Sequence, residues 1–173
     1  MSTPRLHPQA QAFIDYLQRY RNDRGALAHL RGALSEARRA NAWPLLAPFP
    51  GALGNPAFET AAALWAGGPE LTCEAGNLGT TLAILKADRN SFENRFKRLL
   101  ACDRDEITAR VGPVVRAAQA RGVRLNYAQL HSDLLYWNDR VKTEWAKAFW
   151  GAAEPDETIN PALLDAEPGE VTT

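Results

Sequence analysis

Apolar residues recur along this chain at helical intervals of three and four, and no stretch sustains the alternation of a half-buried strand. After Pro8, the segment QAQAFIDYLQRY gathers Phe13, Ile14, Leu17 and Tyr20 on one face, which predicts a core-facing helix. Asn22 or Asp23 offers an N-cap for RGALAHLRGALSEARRA, whose Leu27, Leu30, Leu34 and Ala37 form the next apolar stripe. NAWPLLAPFPGALG follows with three prolines, which oppose a regular helix. Its Trp43, Leu45, Leu46 and Phe49 predict a long loop that packs down on the body.

Asn55, with Pro56 at the first helical position, opens AFETAAALWA, and Gly67, Gly68 and Pro69 close it. LGTTLAILKA predicts a further helix, and SFENRFKRLL another with Phe92, Phe96, Leu99 and Leu100 inward. Asp103 caps a helix running toward Gly122, which Gly112 and Pro113 should kink or split. Asn126 opens YAQLHSDLLYW, and Asn138 opens DRVKTEWAKAFW with Val141, Trp145 and Phe149 in register. The expected fold is all-α, a single-domain multi-helix bundle over residues 1–151. Beyond Gly151, proline and acid content without apolar periodicity predicts a disordered acidic tail, residues 152–173.

Charge changes this picture more than composition does. The 173 residues hold 20 Lys and Arg against 20 Asp and Glu. All the basic residues lie in positions 1–150 with 14 of the acids, a net of +6, whereas the last 23 residues hold six acids and no base. Such segregation hints at nucleic-acid or membrane contact, although a solubilising tail reads the same way. There is no long apolar run, and MSTPRLHPQAQ lacks a signal-peptide core, so a soluble, cytoplasmic protein without membrane contact is expected. Cys73 and Cys102 are expected to be reduced and partly buried.

On the helix that contains Phe92 and Phe96, Arg95 and Arg98 share a flank without an acid, while Lys97 lies within reach of Glu93 on the other. Arg24, Arg31 and Arg38 recur every seven residues and would stack at about 10 Å intervals along one side of the second helix. Arginine suits phosphate, since its planar fork donates two hydrogen bonds to one group. A rim of arginine stems snorkelling over the core has the same pattern. Arg116, Arg121 and Arg124 bracket the turn at Gly122, and Arg140, Lys142 and Lys147 add charge to the last helix beside Asp139 and Glu144.

Catalytic constellations are poorly represented. His7, His29 and His131 are far apart, and none has a ligand partner at helical metal-site spacing. GNLGTT lacks the Lys-Ser/Thr ending of a phosphate loop and reads as a helix break. Asp103, Asp105 and Glu106 fit a first turn, where capping and the helix dipole favour acids. Trp65 and Trp145 fall on apolar faces and are expected in the core; Trp150 is open as a base-stacking candidate.

Three segments, DRGALAHLRGAL, FENRFKRLLACDRDEI and GVRLNYAQLHSDLLYWNDRVKTEWAKAFW, together with the proline-rich WPLLAPFPG loop, resemble CasB, the small-subunit family of the type I-E CRISPR surveillance complex Cascade. The likeness runs in order from about Phe13 to Trp150, and the acidic tail lies outside it. It implies an all-helical, non-enzymatic, cofactor-free subunit present in two copies head to tail. Its partners would be the Cascade backbone and large subunits, the CRISPR guide RNA, the target DNA and a second copy of itself. Arg24, Arg31, Arg95 and Arg98 would then contact phosphate, as would Arg121, Arg124 and Lys142. The family is usually basic overall, whereas this chain is neutral through its tail. A helical protein-interaction adaptor that never touches nucleic acid is the alternative reading.

Overall fold

The computed structural model describes residues 6–86 and 90–151, and the segment expected to be disordered, 152–173, lies outside them. Among the described residues the chain forms α1 (Pro8–Leu17), α2 (Arg24–Arg31), α3 (Trp43–Leu46), α4 (Pro56–Ala66), α5 (Leu78–Lys86), α6 (Asn90–Leu100), α7 (Arg104–Arg110), α8 (Gly112–Ala120), α9 (Tyr127–Leu135) and α10 (Asp139–Trp150). No strand occurs among the described residues beyond an isolated parallel bridge between Thr72 and Leu125. The all-α expectation holds.

Short polar side chains set the helix starts. Asp23 accepts from the Ala26 N–H at 3.0 Å, Asn55 from Ala57 at 3.0 Å, Asn126 from Gln129 at 3.0 Å and Asn138 from Val141 at 3.1 Å. Asp103 accepts from the N–H groups of Asp105 and Glu106, and the Glu106 carboxylate accepts from the Asp103 N–H at 3.1 Å, closing a capping box. The chain breaks between α7 and α8 at Gly112 and Pro113, as their sequence signals predict.

Helix α4 is the central element, with every residue from Ala57 to Ala66 buried. Its alanines let α2 and α9 pack on it, and it also meets α7 and α8. On one side Phe13 of α1 meets Phe58 edge-on at 4.9 Å, and His131 of α9 lies 4.4 Å from the Phe58 ring. On the other side α10 packs along α5. There Gly79 is so close to the Trp145 carbonyl that a Cβ would collide with it. The buried apolar side chains form one cluster that runs from Phe13 to Phe149. Trp65 and Trp145 are fully buried, as expected, and Trp137 packs on Trp145 at 4.8 Å.

Two sequence expectations need correction. The second helix does not reach Ala37: α2 ends at Arg31, a 3-10 turn covers Gly32–Leu34, and Ala37 is exposed. The cause is a reversal, in which Arg38 and Arg39 N–H groups donate to the Ser35 carbonyl and Arg38 folds back on Gly32. A Cβ on Gly32 would lie 3.2 Å from the Cβ of Arg38, so glycine permits the approach. Arg38 is therefore not stacked above Arg31 on one helix. The proline-rich loop does pack down through Leu46, which is fully buried, but it contains the single helical turn α3, with Pro44 in its first turn. Trp43 remains 39% exposed, tied by its Nε1 to Glu59 at 3.2 Å.

Candidate nucleic-acid interface

Helix α6 buries Phe92, Phe96 and Leu99 and leaves Arg95 and Arg98 exposed, which is the arrangement its spacing predicts. Lys97 pairs with Glu93 at 3.1 Å, also as predicted. Arg95 and Arg98 make no ion pair among the described residues. With Arg110 at the end of α7 they rim a groove of ≈ 300 Å³ whose other lining residues are Leu99, Cys102, Pro113 and Val114. No acid lines it. Three guanidiniums on one rim repel one another and give this side of the molecule a positive potential, which Glu106 and Asp103 near Cys102 offset in part.

Two further predicted residues join this end of the molecule. The guanidinium of Arg121 lies 5.3 Å from the Phe92 ring centroid and that of Arg95 lies 5.5 Å from it, so one buried ring orients both. Lys142 sits 5.7 Å from the Trp137 ring centroid, and Trp137 Nε1 donates to the Cys102 carbonyl at 3.0 Å at the end of α6. Burial first, and then the charge of Glu106, pushes the Cys102 thiol up against the opposing effect of Arg110 and Lys142. The shift favours the protonated thiol, which forms part of the groove wall.

Arg24 and Arg31 are both exposed on α2, seven residues apart and so on one side. Arg24 occupies the first turn, where the helix dipole disfavours a cation, so its charge does nothing for helix stability there. Arg31 donates from Nη1 to the Ala66 carbonyl at 3.2 Å, which satisfies an orphan acceptor in the last turn of α4. It also lines a second cleft, of ≈ 480 Å³, with Arg38 and Arg116. The reversal that removes Arg38 from the helix thus returns it beside Arg31. Among the described residues no acid lines this cleft either. Gln119 of α8, another lining residue, donates to the Leu64 carbonyl at 2.6 Å and holds α8 against α4.

Helix α8 walls both clefts, with Pro113 and Val114 facing one and Arg116 and Gln119 facing the other. Arg24 and Arg124 line neither; Arg124 is exposed in the turn before α9. Sequence reasoning missed Arg110, and it did not bring Arg116 together with Arg31. Arg39 belongs to the fold: it pairs with the buried Glu59 at 2.7 Å. Among the described residues no group of three His, Cys, Asp or Glu side chains is placed to hold a metal. No helix among them is long and apolar enough to cross a membrane.

Comparison with known proteins bears on this arrangement. The family model of CRISPR-associated protein Cse2 matches residues 26–150. A CRISPR-associated protein Cse2 from Thermus thermophilus is 34% identical over 70 residues, which is 39% of this chain and 40% of that protein. The matched segment thus spans less than half the length of that curated relative. The crystal structure of CasB from Thermus thermophilus is similar with a TM-score of 0.68 and 28% identity, covering 83% of this chain and 98% of that one. A chain of a CRISPR RNA-guided surveillance complex shares the fold, with a TM-score of 0.69 and 23% identity over 82% of this chain and 91% of its own. The family model spans most of the chain, and both arginine clefts lie inside the matched range, so the chain belongs to the Cse2 family of CRISPR-associated proteins.

Proposed function

We propose that the protein is the non-catalytic small subunit of a type I-E Cascade complex and grips nucleic-acid backbone along α6, α7, α8 and α2. One observation carries the reading: two clefts, rimmed by Arg95, Arg98 and Arg110 and by Arg31, Arg38 and Arg116, share α8 as a wall and have no acid among their described lining residues. Arginines held this way neutralise phosphates, release counterions and favour an opened duplex without reading bases. Guide RNA would read the target by base pairing, and the small subunit would hold the guide-bound and displaced strands by their backbones. Arg24, Arg121, Arg124 and Lys142 extend the same surface. The fold shared with a chain of an RNA-guided surveillance complex supports this setting, as does membership of the Cse2 family. In it the partners are the backbone and large subunits, the CRISPR guide RNA, target DNA and a second copy of this chain. The body, residues 1–151, is the nucleic-acid-binding domain.

Co-expression with type I-E backbone and large subunits and a guide RNA tests the proposal, with the native mass of the particle as readout. Two copies of this chain per particle are expected. A particle that assembles fully without the chain would overturn the assignment and leave the protein-adaptor reading in its place.

A further inference from the structure

We propose that the chain's own acidic segment, residues 152–173, docks in the groove rimmed by Arg95, Arg98 and Arg110 and competes there with phosphate. The docking stands on the groove's own composition; the competition rests on the function proposed above.

Charge complementarity is the first support. Three guanidiniums rim the groove and no acid is among its described lining residues, so they outnumber the nearby Glu106 and Asp103, while the segment carries Glu154, Asp156, Glu157, Asp165, Glu167 and Glu170 and no base. The point of departure is the second. Gly151, at φ 71°, turns the chain out of α10 directly after Trp150, whose ring lies 5.3 Å from that of Phe96 on α6. Phe96 is the neighbour of Arg95 and lies within one helical turn of Leu99, both of which line the groove. Twenty-two residues reach up to about 70 Å when extended. The segment is therefore held beside its target at an effective concentration of millimolar order.

Side-chain chemistry is the third. Leu99 and Val114 give the groove an apolar floor beneath its arginine rim. In the segment, Leu163 and Leu164 stand directly before Asp165 and Glu167, so a short stretch can offer apolar contact and carboxylates together. The second cleft is the poorer host, because Arg31 there is already committed to the Ala66 carbonyl. Carboxylates and phosphates use the same fork of guanidinium donors, and occupation by one excludes the other.

The test compares the full chain with its E154Q/D156N/E157Q/D165N/E167Q/E170Q variant, which keeps length and shape and removes the charge. The first readout is the set of arginine Nε–Hε resonances in a 1H–15N spectrum at low salt. Those of Arg95, Arg98 and Arg110 are expected to shift between the two proteins, while those of Arg24 and Arg116 stay. The second is affinity for a single-stranded oligothymidine, expected to rise at least about tenfold on neutralisation. That gain should vanish near 1 M salt, where the screening length is about 3 Å. Unshifted groove arginines overturn the docking, whatever the oligonucleotide does. Shifted arginines without oligonucleotide binding by the neutralised variant uphold the docking and count against the proposed function. Shifted arginines with equal, measurable affinities for the two proteins overturn the competition alone.

Discussion

His131 and Asp133 lie two residues apart on α9, and burial drives their titrations in opposite directions. His131 is fully buried between Phe13 and Phe58, and neither ring nitrogen makes a hydrogen bond. Burial lowers its pKa to about 4; the Ala10 backbone opposes the shift weakly and His7 adds to it. Asp133 accepts from Trp145 Nε1 at 2.7 Å and Gln129 Nε2 at 2.8 Å, yet burial outweighs both donors and raises its pKa to about 6. The native His131 refuses a proton that the unfolded chain binds between pH 4 and 6.5, so its contribution to stability is lost as pH falls through that window. The native Asp133 keeps a proton that the unfolded chain releases above pH 3.8, so its contribution is lost as pH rises from about 4 to 6. From pH 4 to 6 the two slopes oppose each other. Relative to the parent, His131→Leu should lose stability as pH rises from 4 to 6, and Asp133→Asn should gain it. Urea unfolding of the three proteins at pH 4, 5, 6 and 7 checks the signs; parallel profiles for all three would contradict this account. None of this pairing was legible in the sequence, where His131 is simply an isolated histidine. The Glu93–Lys97 pair was legible because its two ends lie one helical turn apart. Arg39–Glu59 and Arg31–Ala66 were not, because tertiary folding alone brings those residues together.

At the scale of elements, local grammar carried most of the fold. Caps at Asp23, Asn55, Asp103, Asn126 and Asn138 are satisfied within a few residues, so the sequence already contains both partners. The end of α2 depends on something periodicity does not encode, namely the return of Arg38 onto Gly32. GNLGTT is a similar case. The motif starts a helix and does not break one, since residues 78–81 lie in α5: the Asn77 side chain accepts from the Thr80 N–H while Thr80 Oγ1 accepts from the Asn77 N–H, each at 3.2 Å. The role of Gly79 is different, since it lets the backbone of α10 approach α5, and Asn77 Nδ2 adds a hydrogen bond to the Glu144 carbonyl at 3.3 Å. Gly79→Ala should therefore destabilise, even though alanine favours helix. A cost of about 1–3 kcal/mol is expected from overpacking against backbone that cannot rotate away. A calorimetric comparison with Gly25→Ala is the measurement. A Cβ at position 25 meets only the Asp23 carboxylate at 3.4 Å, so that variant should hold or raise the midpoint.

For the whole molecule, net neutrality conceals a basic body and an acidic end, and the segregation is visible in the sequence alone. Which arginines converge is not, because the second cleft draws Arg31 from α2, Arg38 from the reversal after it and Arg116 from α8. The shared wall of α8 makes a sharper claim than a basic surface would. If one strand crosses both clefts, neutralising either should weaken backbone binding. Each triple replacement should reduce the salt dependence of log K by about 2–3, since each phosphate contact contributes about 0.7–0.9. The two variants should nonetheless differ in stability. Arg95→Ala, Arg98→Ala and Arg110→Ala together remove exposed side chains and should leave unfolding within about 0.5 kcal/mol of the parent. Arg31→Ala, Arg38→Ala and Arg116→Ala together also remove the donor to the Ala66 carbonyl and should cost about 1 kcal/mol more. Fluorescence anisotropy with single-stranded DNA over a salt series, using assembled particles, measures the slopes, and urea unfolding of the isolated chains measures the cost. A slope that falls for the first variant alone would confine the strand to α6 and α7 and leave the second cleft as the C-terminal clamp of α4. Unchanged slopes for both would mean that these arginines meet protein.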